Sequence, residues 1–241
     1  MAGVSTFLSS ANQTKTGWGI TMFDYRFQWR VVFKHWPELL DAALLTMELT
    51  FLSVFLGLLI GMVMSVWRKS ENKVLFWFTA TWVALARNTP ALLQIYLFYF
   101  GLGALGIHLS SYAAVLAAIT FNNVGYLIEI LRGGLDSINL AQRGAALGLG
   151  MRPWQVYVYV IFPQVLRAVF LPITNQVVWA MLGTSLGMII GLQELTGMTT
   201  FLQSQTFRPF EFYLVAAVIY LIICEIMLMS ARLIARQYFR W

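Results

Sequence analysis

Charged residues and cysteine are both scarce in this chain, and each shortage excludes a class of protein. Only 11% of the 241 residues are Asp, Glu, Lys or Arg, whereas 59% are hydrophobic. Soluble domains are about one quarter charged, and a domain of this size has too little interior to hide so much apolar surface. The single cysteine, Cys224, excludes a disulfide within the chain. The composition therefore predicts a protein that resides in a lipid bilayer.

Sequence motifs for catalysis, nucleotide binding and metal binding are also lacking. The chain contains no G-x-x-x-x-G-K-[ST] segment, so we expect that it does not bind ATP through a P-loop of its own. Its two histidines, His35 and His108, stand far apart and form no H-E-x-x-H pair or similar metal-ligand set. The first residues do not follow the pattern of a cleaved signal peptide. We therefore expect a protein that is not an enzyme and that has no cofactor or metal of its own.

Long apolar runs are what the sequence has instead. A helix that spans a bilayer needs about 20 mostly apolar residues. Four runs meet this need: 44–67, 112–131, 168–192 and 212–234. A fifth region, 74–105, is interrupted by Arg87-Asn88-Thr89-Pro90, and Pro90 both lacks a backbone donor and disfavours helix at the residue before it. We predict an all-α polytopic membrane protein with five transmembrane helices, of which the second is broken or kinked.

The distribution of Lys and Arg predicts the orientation. The net charge of +6 is compatible with nucleic-acid binding, but in a membrane protein an excess of basic residues normally reflects topology. With the N-terminus outside, ten basic residues lie in cytoplasmic segments and five outside, with Arg87 at the break. We therefore predict an external N-terminus, a cytoplasmic C-terminus, a cytoplasmic interval 132–167, and no nucleic-acid partner.

The N-terminal segment has a different pattern from the spans. Arg26, Arg30 and Lys34 recur every four residues among several aromatic residues. A basic row on an aromatic helix is typical of a helix that lies on the bilayer surface. We divide the chain into an external or interfacial amphipathic segment, 1–38, and a transmembrane domain, 39–241.

Several polar side chains fall within or near the predicted spans, where such groups are costly and often functional. Asn122 and Asn123 are adjacent and cannot share one helix face, so at least one is expected to hydrogen-bond to a neighbouring helix or a ligand. Glu129 can instead pair with Arg132 at i, i+3, and Thr184 and Ser185 can bond to carbonyls of their own helix. Gly57 and Gly61 form a small-xxx-small pair that predicts helix packing.

The polar interval 132–167 separates two apolar runs. Asp136-Ser137 is a plausible helix start, and Gly150 is a suitable stop. The apolar face predicted between them comprises Ile138, Ala141, Ala145 and Leu149. A second short helix, 154–162, is expected to end before Pro163. Two short helices around a glycine turn form either a peg that fits a groove in a partner or a connector on the membrane surface, and the residues alone leave both open.

The register of this interval resembles the EAA loop of the membrane subunits of ABC importers. That loop has the pattern Glu-Ala-Ala, three residues, Gly, nine residues, Ile, one residue, Leu-Pro. The positions that match without a gap are Gly144-Ala145-Ala146, Gly150, Val160, Phe162 and Pro163. The resemblance implies that the loop docks into a cytoplasmic ATPase and transmits its closure to the membrane helices. The residues that it implies for coupling are Gly144, Ala145, Ala146, Gly150 and Pro163.

Further motifs resemble those of the polar-amino-acid permeases within that family, the group that carries histidine, glutamine or glutamate. They are Arg87-Asn88-Thr89-Pro90 with Leu92-Leu93-Gln94, then Asn122, Tyr126, Glu129-Ile130 and Arg132-Gly133-Gly134, then Thr184-Ser185-Leu186, Ile190-Gly191-Leu192 and Glu194-Leu195-Thr196. The similarity extends over roughly residues 40 to 236. It implies the type I ABC importer permease fold in a bacterial cytoplasmic (inner) membrane. The implied function is import of a polar amino acid or a similar compound, driven by a separate ATPase subunit. The implied substrate-pathway residues are Asn122, Tyr126, Glu129, Thr184 and Ser185.

The resemblance also implies partners. These are a dimer of ATP-binding subunits that holds the ATP and Mg, a second permease subunit, and a periplasmic amino-acid-binding protein. Two departures from the family pattern suggest that the second permease is a paralogue that supplies missing charges: Gly144 replaces the usual Glu, and Gly183 replaces an Asp found in many members. Two other functions are possible. An ion-coupled secondary transporter would need inverted repeats and mid-span carboxylates, which we do not find. A non-transporting membrane scaffold would leave the matched motifs unexplained.

Overall fold

The computed structural model describes residues 25–238, and within them the chain is all-helical. The helices in chain order are α1 (Trp29–Lys34), α2 (Trp36–Trp67), α3 (Lys73–Asn88), α4 (Ala91–Ala104), α5 (Ser111–Asp136), α6 (Leu140–Gly148), α7 (Pro153–Ile190), α8 (Leu195–Thr206) and α9 (Pro209–Tyr238). Four of them, α2, α5, α7 and α9, are long and apolar enough to cross a membrane, and α4 is a shorter apolar helix.

Helices α2 and α5 form the centre of the bundle and run in the same direction. At one end the Tyr112 hydroxyl donates to Glu48 at 2.7 Å, and at the other the Lys69 ammonium donates to Asp136 at 2.6 Å. Between these ends a Cβ placed on Gly57 would lie 3.0 Å from Cβ of Asn123, so the two backbones approach closely. The packing role predicted for the glycine pair is confirmed. Because α2 and α5 are parallel, α3 and α4 return the chain along the length of the bundle.

The predicted interruption at Pro90 is confirmed. Helix α3 ends at Asn88, and Thr89 has an extended backbone with φ −114° and ψ 142°. The carbonyl of Ala86 loses its usual donor because Pro90 has no N–H. The side-chain amide of Gln94 donates to that carbonyl at 3.0 Å and to the Thr89 hydroxyl at 2.9 Å. The polar groups freed by the break are thus satisfied inside the protein, as a bilayer requires.

The predicted helix boundaries around Pro163 are wrong. Helix α7 begins at Pro153 and continues beyond Pro163 to Ile190, so neither a short helix 154–162 nor a span that starts at residue 168 exists as a separate unit. The helix passes Pro163 directly after a π-helical segment, Val156–Ile161. A π turn widens the helix and shifts its hydrogen bonds by one residue. The ring and the missing donor of Pro163 are therefore accommodated without ending the helix.

The start of α8 is held by a buried carboxylate. Glu194 accepts hydrogen bonds from the backbone N–H of Gly197 at 2.8 Å and from the Tyr220 hydroxyl of α9 at 2.9 Å. The Thr46 hydroxyl of α2 lies 3.4 Å from the same carboxylate. Burial raises the pKa of Glu194 above its ordinary value of 4.5. This one side chain joins α2, α8 and α9.

The basic residues predicted to lie on a surface helix are exposed. Arg26 precedes α1, Arg30 lies within it and Lys34 ends it, and all three are exposed. The segment is tied to the start of α9, because the Gln28 backbone N–H donates to Glu211 at 2.9 Å. Residues 1–24 of the predicted segment 1–38 lie outside the described residues.

Candidate functional site

Three of the predicted pathway residues form a polar stripe on α5. Asn122, Tyr126 and Glu129 are separated by four and three residues, so they lie on one face of the helix. Asn122 is buried, whereas Tyr126 and Glu129 are half-buried. The stripe begins inside the bundle and reaches its surface toward the end that carries Asp136.

Asn122 links the stripe to the break between α3 and α4. Its side-chain amide donates to the Ala86 carbonyl at 2.9 Å and to the Gln94 side-chain oxygen at 3.1 Å. Its own side-chain oxygen is buried and has no hydrogen-bond partner among the described residues. Asn122 therefore fixes the position of the broken element, and Gln94, which the sequence showed only as part of a motif, is its direct partner.

Asn123 faces different neighbours from Asn122 and joins three helices. Its amide donates to the Ser53 hydroxyl of α2 at 3.3 Å, and its oxygen accepts from the Gln176 side-chain amide of α7 at 2.8 Å. All three side chains are buried. The prediction that at least one of the adjacent amides bonds to a neighbouring helix is confirmed for both.

Tyr126 is the centre of a partly exposed aromatic and cationic cluster. Its ring lies 5.9 Å from that of Trp179 on α7, and the guanidinium carbon of Arg87 lies 5.2 Å from its centroid. Arg87 is exposed, and Trp179 is 38% exposed. Sequence reasoning placed Arg87 in a motif without assigning it to the pathway and missed Trp179, since no local pattern distinguishes this tryptophan from the other eight.

Glu129 belongs to an ion-pair network at the end of α5. It accepts from Arg132 at 2.6 Å, as the i, i+3 spacing predicts, and lies 3.7 Å from Arg68 at the end of α2. Arg132 also pairs with Asp136 at 2.8 Å. The network fixes the end of α2 against the end of α5.

The predicted helix start at Asp136-Ser137 is wrong. Helix α5 continues through Asp136, whose carboxylate is held by Lys69 and Arg132. Helix α6 is capped instead by Asn139, whose side chain accepts from the Ala141 N–H at 2.8 Å. Asp136 thus forms a long-range ion pair with Lys69 and does not provide the cap of α6 that the local pattern had predicted.

Thr184 and Ser185 lie at a different depth from Tyr126. Their hydroxyls donate to carbonyls of their own helix, at 2.7 Å to Met181 and 2.6 Å to Leu182. The preceding residue, Gly183, packs against Ile119, seven positions before Tyr126 and so roughly 10 Å away along α5. Thr184 is buried and Ser185 is half-buried. The structure places these hydroxyls within the α7 turn and does not bring them beside the Tyr126 cluster.

The exposed tip of the loop 132–167 is formed by α6 and the turn after it. A Cβ on Gly144, Gly148 or Gly150 would meet no atom within 4 Å, and Gly150 has φ +83°. The predicted stop at Gly150 is confirmed, because α6 ends at Gly148 and the left-handed turn follows. Pro163 lies on the exposed surface of α7, beyond the π segment.

The apolar face predicted for α6 is wrong. Three of its four residues, Ala141, Ala145 and Leu149, are exposed, and Leu149 is 85% exposed. The fourth, Ile138, precedes the helix, is half-buried and packs inward. Among the residues of α6 whose side chains the structure describes, 141–148, Ala146 is the buried one, and it joins a cluster with Val156 of α7. Capping by Asn139 fixes where the helix begins, and α7 folds back against the side that carries Ala146. Gly144 and Ala145 therefore remain available to a partner.

Comparison with known proteins identifies the family. Residues 53–240 match the family described as "binding-protein-dependent transport system inner membrane component". A probable glutamine ABC transporter permease of Bacillus subtilis (strain 168) is 32% identical over 83% of this chain and 93% of its own length. A nopaline transport system permease of Agrobacterium fabrum is 30% identical over 80% of this chain and 85% of its own.

Solved structures show the same architecture. The crystal structure of an amino acid ABC transporter with histidines superposes with a TM-score of 0.82 and 28% identity, over 88% of this chain and 100% of that one. An inward-facing methionine ABC transporter superposes with a TM-score of 0.67 over 83% of this chain and 95% of that one, and at 17% identity it supports the fold alone. The chain therefore belongs to the family of binding-protein-dependent transport system inner membrane components, and it is a multi-pass inner-membrane permease subunit of an ABC importer.

Proposed function

We propose that this permease moves a polar amino acid, or a compound built like one, across the cytoplasmic membrane, driven by ATP hydrolysis in a separate subunit. The relatives named for glutamine and for nopaline support this substrate class. A substrate of this class carries a carboxylate, which a guanidinium binds with two parallel hydrogen bonds.

The observation that carries the proposal is the position of Arg87. It lies over the ring of Tyr126, near the middle of α5, and its side chain is exposed on the isolated chain. A cation at this depth is costly against hydrocarbon and normally faces a water-filled cavity or a partner. The face with Arg87, Tyr126 and Trp179 is therefore turned toward the pathway, and Arg87 suits the carboxylate of the substrate.

The membrane topology of the proposal has five crossings, with the N-terminus outside and the C-terminus in the cytoplasm. The parallel course of α2 and α5 supports it, because α3 and α4 must then cross between them. Basic residues at the Asp136 end, among them Arg68, Lys69 and Arg132, favour the cytoplasmic side for that end.

The partners of the proposal follow from the exposed tip of the loop. Gly144, Ala145 and the turn at Gly150 dock into an ATPase dimer, which holds the ATP and Mg, and a periplasmic binding protein delivers the amino acid. The second permease is a paralogue, since this chain has Gly144 in place of a glutamate. It also has Gly183 in a place where a Cβ would already lie 3.3 Å from Ile119, so a longer side chain there would need its neighbours to move. A purified complex with two copies of this chain and no second permease would contradict the paralogue.

The experiment is amino-acid uptake by proteoliposomes that hold the permeases and the ATPase, with the binding protein added outside. Arg87→Gln removes a hydrogen bond to a charged group, worth about 1.5 to 3 kcal/mol, so uptake at low substrate concentration should fall roughly ten- to a hundredfold. Co-purification of the ATPase should not change. Arg30→Gln, which removes the same charge from the exposed face of α1, is the control. Normal uptake by the Arg87 variant would exclude this face as the pathway.

A further inference from the structure

Two adjoining cavities lie where the ends of α2 and α5 meet the base of α6. The first, about 180 Å³, has a polar and basic side formed by Lys69, Asn139 and Arg143. The second, also about 180 Å³, continues along α7 and is lined by apolar residues that include Val158, Phe162 and Val165. Both cavities share the same three walls, namely Leu135, Tyr157 and Ile161. A basic cavity that shares its walls with an apolar one matches a molecule with a charged head and a hydrocarbon chain.

We propose that this composite site binds an anionic phospholipid of the cytoplasmic leaflet, with its phosphate in the basic cavity and an acyl chain along the apolar one. Basic pockets between membrane helices on the cytoplasmic side are typical sites for anionic headgroups. The lipid joins the ends of α2 and α5 to the base of the loop that contacts the ATPase.

The charges around the first cavity favour an anion. Four cations, Arg68, Lys69, Arg132 and Arg143, meet two carboxylates, Glu129 and Asp136, which leaves an excess of two positive charges. Arg143 pairs with no carboxylate among the described residues, and its guanidinium carbon lies 5.7 Å from the centroid of Tyr157. Its N–H donors are therefore available to a phosphate, which Arg binds with fork geometry.

The apolar cavity favours a lipid over an acidic surface of the ATPase. It is bordered on α7 by Tyr157 and Val158, each 49% exposed, and by Phe162, 57% exposed. These residues belong to a helix that continues into a membrane span, and a tyrosine at this height is typical of a membrane interface. The tip that suits the ATPase, with Gly144 and Gly150, borders neither cavity. An acyl chain fits this continuous apolar surface, whereas a soluble acidic protein would leave it uncovered.

The test uses the purified complete complex and the probe phosphatidylglycerol. Native mass spectrometry measures the lipid that is retained after extraction from vesicles of phosphatidylcholine with phosphatidylglycerol. In the double variant Lys69→Gln/Arg143→Gln we expect roughly thirtyfold weaker retention of phosphatidylglycerol, which corresponds to about 2 kcal/mol at 1.4 kcal/mol per tenfold. Retention of phosphatidylcholine should change little. The control Lys73→Gln/Arg236→Gln removes the same charge from exposed positions outside both cavities.

Each alternative occupant of the two cavities predicts a different result in this measurement. Equal retention of phosphatidylglycerol by the double variant and the wild type would overturn the proposal. Loss of the ATPase from the double variant, with lipid retention unchanged, would show that the cavity belongs to that partner. Displacement of the lipid by millimolar inorganic phosphate would show a free-phosphate site. The lipid measurement does not depend on the proposed substrate, so either proposal can fail while the other stands.

Discussion

Replacing Gly150 with valine is expected to uncouple ATP hydrolysis from uptake while the chain stays in the membrane. Gly150 has φ +83°, and a Cβ there would meet no atom within 4 Å. A side chain at this position therefore acts by disfavouring the backbone conformation of the turn and not by clashing with other atoms of this chain. A left-handed backbone costs an L-residue about 1 to 2 kcal/mol, and a β-branched residue adopts it rarely. The turn between α6 and α7 should become roughly five- to thirtyfold less populated.

The assay compares uptake with ATP hydrolysis in the same proteoliposomes. We expect the valine variant to lose uptake and to lose the stimulation of ATP hydrolysis by the loaded binding protein. Basal hydrolysis should persist, because the ATPase carries its own catalytic groups. Gly150→Asn is the matched control, since asparagine adds a side chain but adopts the left-handed conformation more readily. Wild-type uptake by Gly150→Val would refute the coupling role of the turn, and equal loss in Gly150→Asn would attribute the effect to bulk at the partner interface.

Three further measurements test the packing that supports the site. A double-mutant cycle of Asn123→Ala and Gln176→Ala in detergent should give a coupling energy of about 0.6 to 1.7 kcal/mol, and a value of zero would show that the two amides do not interact. Gly134→Val should lower the free energy of unfolding by about 1 to 3 kcal/mol, because a Cβ there would lie 2.2 Å from a valine methyl of α7. The control Gly133→Val should change this free energy little, because a Cβ there would meet no atom within 4 Å. Equal losses in the two variants would contradict the packing. Burial raises the pKa of Glu194, so the folded state binds this proton more tightly than the unfolded state does. Thermal stability should fall as pH rises from 4.5 through the raised pKa, and a slope unchanged by Glu194→Gln would refute this assignment.

Local sequence patterns were sufficient where the structure depends on one side chain or one stretch of backbone. The apolar runs predicted the four long apolar helices, apart from the start of α7, because burial in lipid requires about 20 such residues. Pro90 predicted the end of α3 because it lacks a backbone donor, and Gly150 predicted the end of α6 because the chain there needs a positive φ. The adjacent amides of Asn122 and Asn123 predicted bonds between helices because hydrocarbon offers no partner.

Predictions from local patterns failed where a distant residue changed the outcome. Asp136 has the features of a helix cap, but it is the last residue of α5, where Lys69, 67 residues earlier in the chain, pairs with it. Pro163 has the features of a helix end, but the helix continues past it directly after a π-helical segment. The apolar spacing in α6 indicated one face, but α7 packs against the face with Ala146.

By itself the sequence determined that this protein is an all-helical membrane protein with a glycine-punctuated loop, because hydrophobicity and backbone preferences act locally. Only the tertiary structure placed Arg87 over Tyr126, brought Trp179 beside them, and joined Lys69 and Arg143 in one cavity. These groups are 39 to 92 residues apart in the chain, as their numbers show. Their proximity depends on how several helices pack together, and that packing leaves no periodic signal around any one of them.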